Sequence, residues 1–377
     1  MKNRLIKIGL IGGSINSGIS HIHFSALKMD GNFEVVSGNF SSQKKNNLLT
    51  AKKWNIDKKR IYNSLDKFIK YEKDKIDAIL ILSPTNNHFK DLVKASTLNI
   101  PIICEKPIAS SLDEVKKIKK YLNYKNNFLA ITFNYTGYPM LREAKEMIKR
   151  NKLGKLKFIQ IEMPQEIFLK NKKKDTKYIK PWRLKDGYIS NLSLDLLSHV
   201  YNISNFLLEK KPITVATNFA STSKINNKNI VEDILVWLNF KEKIRGSFWV
   251  SKSAIGNKNE LKVKIFGEKK SLEWRQSDSE NLKVFENDGS LKIIDRGSRS
   301  LISGQKRYNR YRAGHPTGFL EAFANMYEDI YNAITNLKNN KQINKRYIFD
   351  LDDALENMKF LDNISKSRSK KIWHTIK

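Results

Sequence analysis

Residues 10–18 read Leu-Ile-Gly-Gly-Ser-Ile-Asn-Ser-Gly, and this short turn sets the expected fold of the first third of the chain. It follows an apolar strand pattern at residues 5–11 and precedes an amphipathic segment, which is the context of a dinucleotide phosphate loop. Neither register of the glycine motif is complete, and a plain strand-to-helix turn is the alternative. The candidate cofactor-binding residues of this turn are Gly12, Gly13, Ser14 and Gly18.

Short apolar runs alternate with amphipathic segments as far as residue 133, which predicts a doubly wound parallel sheet. The predicted strands of this half are 5–11, 34–38, 78–82, 102–104 and 128–133. Beyond a helix near residues 141–150 the pattern changes to strands joined by short polar turns, with one long helix at about 189–208. These strands, predicted to be antiparallel, are 158–163, 214–219, 230–240, 244–251, 260–266 and 271–275. The chain is therefore expected to be α/β, with one domain at residues 1–135 and a second, ending in helices, at residues 136–377.

Composition narrows the possible class of protein. The 70 Lys and Arg residues against 38 Asp and Glu give a formal charge of +32, but the lysines are scattered rather than clustered. We therefore expect no nucleic-acid partner, although binding to an anionic surface remains a competing hypothesis. No apolar stretch is long enough to span a bilayer and no secretory leader is evident, so a cytoplasmic protein without a membrane partner is expected. The single cysteine, Cys104, lies in an apolar run and is expected to be buried and inert.

A lysine stands where a buried strand is predicted to end. Glu105-Lys106-Pro107 directly follows the apolar run at residues 101–104. In an open α/β sheet, ligands bind at the carboxyl ends of the strands, and the proline favours extended geometry for Lys106. The alternative is a solvated lysine in a turn.

Two further strand ends carry polar residues. Ser41 and Ser42 follow the second strand, where no acidic residue is available for an adenosine ribose, and Lys44 makes this rim basic. That favours NADP slightly over NAD. Ser83, Pro84, Thr85 and His88 follow the third strand and suit the nicotinamide ribose, or else cap the next helix.

Asp195 and His199 lie four residues apart in a predicted helix, so their side chains share one face. His199 suits proton exchange near neutral pH, and Asp195 could orient it or bind a sugar hydroxyl. A surface ion pair is the alternative. No further His or Cys lies at zinc-ligand spacing, so no metal is expected.

Taken together, these motifs make the chain resemble the Gfo/Idh/MocA family of oxidoreductases over nearly its whole length. The residues that carry the resemblance are the glycine turn with His21 or His23, Ser83-Pro84-Thr85 with His88, Glu105-Lys106-Pro107, and Asp195 to His199. The resemblance implies a Rossmann domain, a C-terminal α/β domain with an open, mostly antiparallel sheet, and homo-oligomers, dimers or tetramers, formed through that sheet.

The resemblance also implies an activity: hydride transfer between NAD or NADP and a secondary alcohol of a sugar, polyol or sugar derivative. Lys106 would bind the reacting hydroxyl, His199 would be the general acid/base, and Asp195 would hold the substrate or His199. Glu105 and Lys106 would also contact the cofactor. A catalytically silent dinucleotide-binding regulator or scaffold is the alternative, because the glycine loop is altered.

Overall fold

The computed structural model describes residues 4–124, 128–169, 186–221, 224–225 and 228–368. The chain divides into two compact units. The first contains residues up to Gly137 together with Phe319–Glu356, and the second contains Tyr138–Gly318 and the residues from Asn357 onward.

The first unit is built on a parallel sheet of five strands in the order β2-β1-β3-β4-β5. Its strands are β1 (Ile6–Gly12), β2 (Phe33–Asn39), β3 (Ala78–Leu82), β4 (Ile102–Cys104) and β5 (Leu129–Ile131). The helices between them are α1 (Ser20–Met29), α2 (Lys44–Trp54), α3 (Leu65–Glu72), α4 (Thr85–Ala95) and α5 (Leu112–Tyr124). Every residue of β3 and β4 is buried, as expected of inner parallel strands, and Cys104 is buried with them. The predicted doubly wound sheet is confirmed.

The second unit is built on an eight-stranded sheet in the order β15-β14-β13-β12-β6-β11-β10-β7. Its helices are α6 (Pro139–Lys149) and α7 (Ser198–Leu208). Its strands, together with a separate two-stranded ribbon of β8 and β9, are β6 (Leu156–Pro164), β7 (Pro212–Ala220), β8 (Lys224–Ile225), β9 (Lys228–Asn229), β10 (Asp233–Phe240), β11 (Arg245–Ser251), β12 (Lys262–Gly267), β13 (Lys270–Arg275), β14 (Asp278–Glu286) and β15 (Leu291–Ile294). Alternate residues of β10 are buried, which gives the sheet one covered and one exposed face.

The eight-stranded sheet is mostly antiparallel, with one exception to the prediction. Strands β6 and β11 pair in parallel, with Phe158 opposite Arg245. Parallel neighbours need a long crossover, and α7 with β7 and β10 separates these two strands along the chain. Strands β14 and β15 were absent from the predicted set because β14 begins with the polar residues Asp278, Ser279 and Glu280, which obscure its alternation.

Two helices close the described chain, α8 (Phe319–Lys338) and α9 (Leu351–Arg368). The sequence places both in the second domain, but α8 belongs to the first unit. It packs on α1, and apolar residues such as Phe323 and Ile330 join the core formed by β1, β2 and β3. Helical periodicity shows which face of α8 is apolar but does not show which sheet that face covers.

The loop at residues 296–316 is held from inside the second unit. The buried Arg296 guanidinium donates to Glu280 at 2.7 Å and to the backbone oxygens of Tyr308 and His315 at 2.9 Å. The Glu143 carboxylate on α6 accepts three backbone N–H groups of the loop, from residues 301–303. This loop therefore has a defined conformation, although it contains only one short 3-10 turn, at Lys306–Tyr308.

None of the helices in the described part of the chain is both long and apolar enough to cross a membrane.

Candidate active site

The glycine turn lies at the carboxyl edge of the parallel sheet, between β1 and β3. The chain leaves β1 toward β2 on one side, while β3 lies on the other, so this is the position where the strand order reverses. Gly12 has φ +76°, and a Cβ there would stand 2.4 Å from the backbone nitrogen of Ser83. Gly13 also has a positive φ, +69°. The backbone conformation at both positions therefore requires glycine, independently of any ligand.

The N-terminus of α1 has the features of a phosphate site. No side chain caps it, and its first turn contains no acidic residue. The bulky Ile15 is partly buried and packs against the apolar core of the first unit. Its backbone N–H donates to Thr50 Oγ1 at 3.1 Å, so that amide is already used. An uncapped helix N-terminus without acidic residues is the kind of position at which a phosphate can bind.

The end of β2 is fixed by the buried Asn47. Its side chain accepts from the Ser41 backbone N–H at 2.8 Å and donates to the Ser41 carbonyl at 2.9 Å. Ser42 and Lys44 are exposed beside it. This rim has a defined backbone and contains no acidic side chain from residue 39 to residue 46.

Ser83, Pro84, Thr85 and His88 lie at the junction of β3 and α4. Pro84 precedes α4 without any capping side chain, so the capping alternative for Thr85 is wrong. The buried His88 ring places Nε2 2.8 Å from the Ser83 carbonyl and Nδ1 3.0 Å from the Pro107 carbonyl. Burial lowers the pKa of His88, outweighing the two carbonyls and the nearby Glu105 and Asp91 carboxylates, which raise it. The His88 ring thus links the turn after β3 to the turn after β4.

Glu105 is the centre of a polar network inside the first unit. Its Oε1 accepts from Thr132 Oγ1 at 2.5 Å and lies 3.3 Å from His23 Nε2, and His23 Nδ1 lies 2.6 Å from the Tyr327 hydroxyl. Burial alone raises the pKa of Glu105, but interactions with His23, the charge of Lys106 and the Thr132 hydroxyl outweigh it and hold the pKa below its ordinary value. Burial and the Glu105 charge raise the pKa of Tyr327 well above its usual range. Glu105 is therefore an ionised anchor at the end of β4.

Lys106 lies between two anchored neighbours. The Glu105 backbone N–H donates to the Ile81 carbonyl at 3.0 Å, and the Pro107 carbonyl accepts from His88. The Lys106–Pro107 peptide bond is cis. Lys106 is partly buried at the carboxyl edge that also holds Gly12.

The sequence did not mark Asn134 as a site residue. It follows β5 at the same sheet edge, is buried, and its side-chain nitrogen has no hydrogen-bond partner among the described residues. An orphaned buried donor is costly unless a ligand satisfies it, and a nicotinamide or its ribose offers acceptors. The sequence signal that could have identified Asn134 is that it is a polar residue directly after the predicted strand at residues 128–133.

In the second unit, Asp195 is paired across the fold. Its Oδ2 accepts from Lys252 Nζ at 2.7 Å, and Lys252 follows β11. The sequence did not predict Lys252 as a site residue, because 57 positions separate the two side chains. The alternative of a surface ion pair between Asp195 and His199 is wrong, since His199 is only 6% exposed.

His199 is buried near the start of α7, and the helix widens immediately before it. Residues Ser193–Leu197 form a π turn, so Asp195 and His199 lie on two different helical geometries. Side chains satisfy carbonyls nearby: Ser198 Oγ donates to the Leu194 carbonyl, and Asn357 Nδ2 donates to the Ser198 carbonyl. Turns of this kind are frequent at functional sites, and the helical sequence pattern does not reveal them.

No cluster of three or more His, Cys, Asp or Glu side chains suited to a metal ion occurs within the residues that the structure describes.

Family models match both halves of the chain. The model for an oxidoreductase family, NAD-binding Rossmann fold, matches residues 6–133, and the model for the C-terminal alpha/beta domain of the same family matches residues 145–376. The chain belongs to the Gfo/Idh/MocA family of oxidoreductases. The predicted resemblance is confirmed, and the sheet edge described above lies in the NAD-binding domain of this Gfo/Idh/MocA protein.

Individual relatives are distant but cover most of the chain. An uncharacterized oxidoreductase, YfiI of Bacillus subtilis, is 22% identical over 99% of this chain and 97% of its own length. Glucose-6-phosphate 3-dehydrogenase of the same organism is 23% identical over 77% of this chain and 79% of its own. The crystal structure of an inositol dehydrogenase homolog complexed with NAD+ from Azotobacter vinelandii superposes with a TM-score of 0.90 at 21% identity, covering 98% and 96% of the two chains. That last likeness supports the fold.

The Glu105 network predicts an acid-dependent contribution to stability. Because folding lowers the pKa of Glu105 from about 4.5, its stabilising effect is complete above that value and is lost as the pH falls through the folded pKa. We expect Glu105→Gln to lower the urea midpoint of unfolding at about pH 6, and the gap from wild type to narrow as the pH falls below about 4.5. Glu34→Gln, at an exposed position on β2, is the control. A gap that stays constant or widens in acid would contradict the assignment.

Proposed function

We propose that this chain is an NAD(P)-dependent oxidoreductase acting on CH–OH groups, specifically a secondary alcohol or ketone of a sugar, polyol or sugar derivative. The observation that carries the proposal is Lys106, held between two anchored residues at the same sheet edge as the glycine turn. When bound, the nicotinamide supplies hydride transfer, and the protein supplies orientation and proton handling. The curated relatives that act on sugars are consistent with this substrate class.

Lys106 is proposed to donate a hydrogen bond to the reacting hydroxyl oxygen, which favours loss of its proton during oxidation. An ammonium group stabilises negative charge developing on that oxygen. The anchored neighbours of Lys106 restrict the positions that its ammonium can take. Glu105, ionised beside it, favours the charged form of the lysine. In the reverse direction the same group stabilises the ketone oxygen as it becomes an alcohol.

His199 is proposed to accept the hydroxyl proton during oxidation and return it during reduction. Imidazole is the side chain best suited to this exchange near neutral pH. Asp195 is proposed to accept a hydrogen bond from a substrate hydroxyl. Its side chain is 27% exposed, so part of the carboxylate is accessible from the surface of the second unit.

The cofactor contacts are proposed to be Gly12, Gly13, Ser14 and Gly18 at the phosphates, with Ser41 and Ser42 near the adenosine ribose and the Ser83 to His88 junction near the nicotinamide ribose. Asn134 is added to this set because its buried donor needs an acceptor. The neutral-to-basic rim after β2 favours NADP slightly, because a 2′-phosphate would meet no acidic side chain there.

Calorimetric titration of cofactor-free protein with NADPH and NADH tests the proposal directly. We expect saturable binding of one molecule per chain, with NADPH the tighter ligand. Ser42→Asp should reverse the preference by roughly tenfold, because a carboxylate binds the ribose hydroxyl and repels the 2′-phosphate. Lys67→Glu, on the exposed side of α3, should leave the preference unchanged. Absence of saturable binding would contradict the proposal and point to a non-catalytic role.

Lys106→Ala separates catalysis from cofactor binding. We expect turnover to fall on the order of 100-fold or more, while the dissociation constant for NADPH changes little, since the lysine acts on the substrate. Steady-state kinetics and the calorimetric titration measure the two effects. Lys90→Ala, at an exposed position on α4, is the matched control. Turnover near that of wild type in Lys106→Ala would refute the mechanism.

The exposed face of the eight-stranded sheet is proposed to bind a second copy of this chain. On this face, apolar side chains lie opposite one another on neighbouring strands: Phe158 opposite Phe266, and Leu235 opposite Trp249. The neighbour of Phe158 on its other side is Arg245. Both signs of charge are interspersed, as in the Lys264–Glu273 pair, so the face can complement itself. An exposed apolar surface of this kind marks an interface.

Trp237, which is 54% exposed at the centre of β10, tests the proposed interface. We expect light scattering after size exclusion to show a dimer or tetramer for wild type and a smaller mass for Trp237→Glu, because a charge would be buried at the contact. Leu49→Glu, at a similarly exposed position on α2, should leave the mass unchanged. A monomeric wild type would contradict the proposal.

A further inference from the structure

Lys252 is a buried lysine with no role in the mechanism above. It follows β11, its side chain is only 6% exposed, and its ammonium lies 2.7 Å from Asp195 Oδ2 and 5.5 Å from the centre of the Phe168 ring. Its backbone is fixed on both sides: the N–H donates to the Glu232 carbonyl, and the carbonyl accepts from the Phe168 N–H, each at 2.9 Å. The ammonium therefore has little freedom to move.

The burial of this pair is asymmetric. The Lys252 side chain is covered, whereas Asp195 is 27% exposed. A buried ammonium needs a nearby anion, and removing one partner of such a pair leaves the other charge uncompensated, which is strongly destabilising. The pair thus has one covered partner, Lys252, and one partly exposed partner, Asp195.

Two acidic residues of the described chain contact Lys252, Asp195 through its carboxylate and Glu232 through its backbone carbonyl. Asp195 lies on the π turn before α7, and Glu232 lies on the segment before β10, where its Oε2 accepts from Ser253 Oγ at 2.7 Å. Of these two, Asp195 is the one whose carboxylate is bonded to Lys252 and whose side chain is partly exposed, so it is the group through which Lys252 can affect a ligand.

We infer that Lys252 is a positioning residue for the reaction site: it holds Asp195 as a fixed, ionised acceptor for a neutral substrate hydroxyl. This inference rests on the proposed function, in which Asp195 contacts substrate. Because Lys252 already balances the carboxylate charge, a substrate ammonium gains little there. The pair therefore selects a neutral sugar or polyol at this position over an amino sugar.

A double-mutant cycle tests the inference. The variants are Lys252→Met, Asp195→Asn, the combination of both, and Lys252→Arg, which retains the cation. Turnover is measured with NAD+ and NADP+ on myo-inositol, D-glucose, glucose 6-phosphate and D-glucosamine, and thermal midpoints are measured on the same samples without substrate.

Lys252→Met should lower kcat/KM on neutral substrates on the order of 100-fold, since a displaced acceptor misplaces the substrate. It should lower kcat/KM on D-glucosamine less. Adding Lys252→Met to Asp195→Asn should cost no more than about threefold further, because the lysine acts through that carboxylate. Lys252→Arg should recover most of the activity. The thermal midpoint of the double variant should lie above that of Lys252→Met, because no unpaired charge remains.

Lys145 supplies the matched control. Its side chain is 8% exposed, its Nζ lies 2.7 Å from Glu209 and 4.3 Å from the centre of the Phe206 ring, and it lies on α6. Lys145→Met should lower the thermal midpoint but leave the kcat/KM of the folded protein near that of wild type. That result separates loss of a buried cation in general from loss of the one that holds Asp195.

The outcomes distinguish the two proposals. If Lys252→Met and Asp195→Asn lower kcat/KM by independent factors that multiply in the double variant, and their shifts in thermal midpoint add, the two residues do not act together. That result would overturn the role of Lys252 and leave the oxidoreductase proposal standing. A wild type that turns over none of the four probes would overturn the proposed function. In that case a double-variant midpoint above that of Lys252→Met still supports the Lys252–Asp195 pair, and additive midpoints overturn it.

Discussion

A largely covered carboxylate, that of Glu105, links several elements of the first unit at the point where its chemistry is proposed to occur. Glu105 directly follows β4 in surroundings that disfavour its charge. Thr132 donates a hydrogen bond to its carboxylate and His23 lies beside it, and both interactions favour the ionised form. His23 in turn contacts Tyr327 on α8, which is why residues more than 300 positions apart must be placed together before this edge is complete. The need to compensate one charge thereby ties α1, β4, the segment after β5 and α8 into a single arrangement.

The same constraint explains why the lysine beside it is a good candidate for chemistry. A flexible side chain on a loose turn would sample many orientations, but Lys106 follows an anchored Glu105 and precedes Pro107, whose carbonyl is held by His88. Precise placement of a charged group is what proton handling and stabilisation of a developing charge require. The second unit uses a comparable device, with a buried Lys252 fixing Asp195.

The comparison with relatives supports the fold far more strongly than it supports any particular substrate. Identity to the sugar-acting relatives is low, whereas the overall superposition on the inositol dehydrogenase homolog is close. A fold of this kind hosts many specificities, which are set by a few side chains near the reacting group. The Lys252–Asp195 pair is proposed to be one such feature, because it would fix the charge that a substrate meets.

The sequence by itself determined the parallel sheet, the positions of most strands, and the polar residues at strand ends, because periodicity and turn chemistry are local. It also placed Glu105, Lys106 and the glycine turn at one sheet edge, since the carboxyl ends of parallel strands share an edge. Only the tertiary structure decided that α8 covers the first sheet, that β6 and β11 run parallel, and that Lys252 pairs with Asp195. Each of these joins segments far apart along the chain, and the energy that selects them comes from burial and charge compensation that no local pattern contains.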